Sequence, residues 1–115
     1  MKGLTGLLLE TFEAAQRRGI RGAVEADIAR WIDERPFAQV IKRYIGSTAA
    51  HAGRRAKEMA DTLELLRSLG SSTRMTKATR AWFVEIDRLG LPARFNGREP
   101  DSIEPVLQAL VTSDR

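Results

Sequence analysis

Apolar residues recur at intervals of three and four along nearly the whole chain, in blocks closed by glycine or proline, and no stretch alternates as a strand would. That periodicity restricts the fold to helices packed by one face. Helices are expected over residues 4–18, 22–34, 36–45, 48–69, from Thr73 to Leu89, and 102–111. Gly19, Gly46, Gly70 and Gly90 serve as stops, Pro36 starts the third helix, and Ser47 or Thr48 and Ser72 or Thr73 serve as N-caps. The inward faces are expected to carry Leu4, Leu7, Leu8, Phe12 and Ala15; Val24, Ile28, Trp31 and Ile32; Phe37, Val40, Ile41, Tyr44 and Ile45; Met59, Leu63, Leu66 and Leu69; Met75, Ala78, Trp82, Ile86 and Leu89; and Ile103, Val106, Leu107 and Leu110. Residues 91–101 read as a loop with a turn at Asn96-Gly97, and the tail TSDR as a frayed end. The expected architecture is a compact all-α bundle of about five to six helices, in one domain over residues 1–115, with room for a helix-turn-helix unit.

One stripe in that pattern is unusual. Ala49, Ala52, Gly53, Ala56 and Ala60 share a helix face, and a mid-helix glycine costs roughly 1 kcal/mol relative to alanine. Close approach of another helix, within the chain or from a symmetry partner, would offset that cost, and a ligand or nucleic-acid backbone lying against the stripe is the alternative.

The chain contains no cysteine, which removes disulfides, thiolate metal sites and cysteine nucleophiles. Its one histidine, His51, has no second His to share a metal, and no Gly-x-Ser-x-Gly or phosphate-loop pattern occurs. No catalytic residue, metal or cofactor is therefore expected, and the chain is not read as an enzyme. The opening MKGLTGLLLE is interrupted by Glu10 too early for a signal-peptide core, and no apolar run is long enough to span a bilayer. A cytoplasmic protein without a membrane partner is the expectation.

The net charge of +4 is unevenly distributed. Residues 1–41 carry six basic and six acidic side chains, whereas residues 42–80 carry nine basic and three acidic. Within this cationic middle, Arg54 with Glu58, Lys57 with Asp61 and Glu64 with Arg67 have the spacing of surface ion pairs. Lys42, Arg43, Arg55, Arg74, Lys77 and Arg80 have no such helical partner.

The segment LGSSTRMTKATRAWF, residues 69–83, sets a glycine-serine turn before a helix start rich in Thr and Arg. With the apolar Leu66 and Leu69 before the turn, it resembles a helix-turn-helix unit over about residues 56–89. The resemblance implies that the first turns of the second helix enter the DNA major groove. A rival placement uses Gly46 as the turn and the helix from Thr48, with His51, Arg54 and Arg55 presented. Two function classes follow. The first is a small DNA-binding transcriptional regulator contacting double-stranded DNA through Lys42, Arg43, Arg54, Arg55, Thr73, Arg74, Thr76, Lys77 and Arg80, as a monomer or as a homodimer through the small-residue helix or the C-terminal segment. The second is a helical adaptor or inhibitor that meets an acidic protein partner with its Arg-rich surface and uses the small-residue stripe as a docking groove.

Overall fold

The computed structural model describes residues 1–113. They form six helices and, among the described residues, no strand: α1 Lys2–Arg17, α2 Arg21–Asp33, α3 Phe37–Ser68, α4 Arg74–Arg88, α5 Leu91–Arg94 and α6 Glu104–Thr112. The architecture is the expected all-α bundle. Of the expected frayed tail, Thr112 ends α6 and Ser113 is extended, while residues 114–115 lie outside the described residues.

Two helix ends form as the glycine spacing predicts. At Gly70, with φ of 64°, the Ser71 N–H donates to the Leu66 carbonyl at 3.0 Å and the Gly70 N–H to the Arg67 carbonyl at 3.1 Å, a Schellman closure. Gly19, with φ of 76°, closes α1 in the same way through Ile20 and Ala15.

The boundary expected at Gly46 between the third and fourth helices does not fall there, because Gly46 keeps helical backbone and is buried rather than turning the chain. Ser47 and Thr48 are correspondingly buried inside α3 and cap nothing. The break comes five residues after Gly46, at His51, whose φ of −130° and ψ of 24° interrupt the helix. Within the expected loop 91–101, Leu91–Arg94 forms the short α5, and Asn96 and Gly97 both take positive φ in the predicted turn.

The small-residue stripe is consumed by packing within the chain. Ala49 and Ala52 are fully buried and join Ile86, Leu91, Val106 and Ala109 in the core, so α4, α5 and α6 all converge on this part of α3. A Cβ on Gly53 would stand 2.9 Å from Asp87 Oδ1. Gly53 lies 17 residues before Gly70 and Asp87 lies 17 after it, so the end of α3 and α4 run antiparallel, side by side, for their full length.

Packing is much thinner elsewhere. In α1 only Glu10 and Ala15 are buried, and α2 has no buried residue. Several expected core residues are in fact open to solvent: Leu4, Leu7, Phe37, Ile41, Tyr44, Trp82 and Leu107 are all exposed. Spacing identifies their helix faces, but neighbouring elements cover them only in part, as with Tyr44, one side of which stacks on Trp31 of α2.

Ala52→Leu should lower the unfolding free energy by about 1–3 kcal/mol in urea titration, since the added methylenes have no room beside α4 and α6. Gly53→Ala should change it by less than about 1 kcal/mol, because the helix propensity gained offsets the displacement of the Asp87 carboxylate.

Candidate functional site

The turn between α3 and α4 is held from below by two carboxylates of α1. Glu10 accepts hydrogen bonds from Ser72 Oγ at 2.8 Å and the Met75 N–H at 2.9 Å through Oε1. Its Oε2 accepts from the Thr76 N–H at 2.7 Å and Thr76 Oγ at 2.8 Å. Glu13 Oε1 accepts from Ser71 Oγ and the Ser72 N–H, both at 2.8 Å. The first turn of α4 is thereby capped mainly from another helix; Thr73 makes no cap bond, and of the local side chains Ser72 Oγ accepts from the Arg74 N–H at 3.4 Å. A negative charge at a helix N-terminus is favoured by the dipole and by the free N–H groups there.

Glu10 is 6% exposed. Burial pushes its carboxyl up, but the Met75, Thr76 and Ser72 donors together more than offset this, and its pKa falls below the ordinary glutamate value. Glu13 is lowered too, chiefly by the Ser72 N–H and the Ser71 hydroxyl.

This arrangement changes the meaning of the 69–83 segment. Thr76 is committed to Glu10 and is not free to reach a base, and Thr73 is half-buried. Arg74, Lys77 and Arg80 are exposed and, among the described residues, make no ion pair. The helix-turn-helix resemblance does not extend to geometry. In that unit the helices cross at about 90–120° and diverge from the turn, whereas α3 and α4 still touch at Gly53 and Asp87, roughly 25 Å of helix away from it.

The remaining expected contact residues are dispersed. Lys42 and Arg43 lie before the break at His51 in α3, whereas Arg74 starts α4 beyond the far end of α3. Arg43 stands 5.9 Å from the Trp31 ring, and Arg35 lies over the same ring at 3.8 Å. Trp31 in turn stacks on Tyr44 with centroids 5.4 Å apart, which ties α2 to α3. Arg54 is exposed and pairs with Glu58 at 3.7 Å, as the spacing of the expected ladder predicts. Arg55 turns inward, where its Nη2 donates to Ser47 Oγ. The nine residues therefore do not make one cationic face.

Two features escaped the periodicity reading. Glu10 looked only like an interruption in an apolar stretch, and Arg55 like a surface cation. Among the described residues no cluster of three metal-ligating side chains occurs, and no helix is long and apolar enough to cross a membrane.

Residues 15–86 match the model of a family described as a domain of unknown function, DUF1932. The chain belongs to that family. The DUF1932 match runs from the end of α1 through α2 and α3 and most of α4, so it contains the hairpin and its turn but not Glu10, Glu13, α5 or α6. Comparison with curated proteins and with solved structures gives no match.

Glu10→Ala should lower the unfolding free energy by roughly 2–4 kcal/mol, because it leaves charge-assisted donors at the α4 N-terminus without an acceptor. Both carboxyls have folded pKa values below the unfolded one, so their stabilisation is present above about pH 4.3 and lost as pH falls through the lowered values. Urea midpoints measured from pH 7 downward should hold steady to about pH 5 and then decline. Glu10→Gln should flatten that decline.

Proposed function

We propose that this chain is a helical protein-interaction domain that assembles with a second copy of itself through α1, α2 and the first half of α3. The observation that carries this reading is surface area. The chain exposes 7895 Å², about a quarter more than the roughly 6,300 Å² of a folded monomer of its 12.8 kDa mass. Its radius of gyration of 15.3 Å likewise exceeds the roughly 13.4 Å of a compact domain of this length. A standard interface needs only about 800 Å² from each partner.

Exposed apolar groups concentrate on the proposed face. Leu9 is 67% exposed, Tyr44 51%, Phe37 46% and Leu7 42%. Charge supports a like partner over an acidic one. Residues 1–41 carry equal numbers of acidic and basic side chains, so two copies can meet without net repulsion and with the self-complementarity that a two-fold interface requires. The small-residue stripe, being filled by the chain's own helices, takes no part. The reading assigns the chain no catalytic role and a cytoplasmic setting.

A second reading, a regulator that binds double-stranded DNA, rests on Arg74, Lys77 and Arg80, which stand exposed on successive turns of α4 without carboxylate partners. It would use them for phosphate contact, and affinity would fall steeply with salt.

Light scattering behind size exclusion should give twice the chain mass at micromolar concentration, and Leu9→Asp with Phe37→Asp should restore the single-chain mass with helical circular dichroism intact. A wild-type chain that stays monomeric up to millimolar concentration rules the assembly out. Gel shifts with mixed duplex DNA at two salt concentrations decide the second reading, which Arg74→Ala with Lys77→Ala should abolish.

A further inference from the structure

Between the middle of α3, α4 and α6 lies a cleft of about 510 Å³, within the usual range for small-molecule sites. Its walls are apolar, with Tyr44, Trp82 and Phe83 supplying rings and Val106, Leu107 and Leu110 closing the α6 side. Among its polar lining residues are Thr48, Thr79 and Arg55. Thr79 is already engaged, its Oγ donating to the Met75 carbonyl at 2.8 Å.

Arg55 is the anomaly. It is half-buried, it makes no ion pair with any described residue, and its Nε is buried without a hydrogen-bond partner. Ser47 Oγ accepts from Nη2, but a neutral hydroxyl does not balance a charge. A guanidinium has five donors and no way to lose its proton. An isolated cation against an apolar wall is disfavoured unless an anion meets it. Nearby acids do not fill that role: Glu58 pairs with Arg54, and Glu85 with Arg88 at 2.5 Å.

From this cation in an otherwise apolar cleft, we propose that the cleft binds a small amphipathic carboxylate, with its apolar body between Trp82, Phe83 and the α6 side chains and its carboxylate against Arg55. The forked guanidinium suits a planar carboxylate. The cleft shares Tyr44 with the proposed self-association face, whereas Arg55, Phe83 and Leu110 lie outside α1, α2 and the first half of α3.

The test follows Trp82 emission in a Trp31→Phe background, with octanoate, octanol and octylammonium as probes, all below their micelle concentrations. Octanoate should bind saturably and at least tenfold more tightly than either other probe. Arg55→Gln should weaken octanoate at least tenfold and leave octanol within twofold. Equal binding of octanoate and octanol, absence of saturable octanoate binding, or an Arg55→Gln chain with unchanged octanoate affinity overturns the proposal. Should Arg55→Gln lose its helical circular dichroism, the three probes on the Arg55 chain decide alone.

Discussion

The carboxylate of Glu10 connects two parts of the molecule that apolar packing alone joins poorly. It sits at the start of α4, where unpaired N–H groups and the helix dipole favour an anion, and it reaches there from α1, 65 residues earlier in sequence relative to Met75. Since α1 otherwise buries only Ala15, and α2 buries nothing, this polar junction carries an unusual share of the orientation of the whole N-terminal part. It also engages the Met75 and Thr76 N–H groups at the α4 N-terminus, while Arg74 and Lys77 stay exposed beside them.

The other organising element is the antiparallel pairing of α3 and α4. Its closeness comes from alanine and glycine at the contact, so backbones approach and the core is built from Ile86, Leu91 and Val106 around them. The weakness of glycine in a helix is compensated by that approach. The break at His51 falls within the stripe, where the half of α3 that carries Phe37 and Tyr44 gives way to the half that packs on α4.

Periodicity made the helices and most of their ends legible, because it depends only on local spacing, and the glycines at 19, 70 and 90 all take positive φ as stops should. Gly46 misled because glycine is compatible with both a helix end and a helix interior, and only the neighbours packed around it decide. Tyr44, Phe37 and Trp82 were assigned to the core because spacing identifies a face without saying whether anything covers it. Glu10 and Arg55 were illegible for a different reason. Each owes its role to residues brought close by folding: Glu10 to a helix start dozens of residues away, and Arg55 to a cleft completed by α6. The cationic surplus of residues 42–80 was real as composition, but the break at His51 sets Lys42 and Arg43 apart from the rest and Arg55 turns inward.

The separation of the alanine stripe from the exposed leucines and aromatics divides the chain into two regimes of sequence change. Volume filters substitutions at Ala49 and Ala52, where enlargement presses on the core shared with α4, α5 and α6. On α2 and on the part of α1 away from Glu10 and Ala15 the same mutations meet open solvent, so drift there can retune what adheres to the protein while its foldedness is inherited intact.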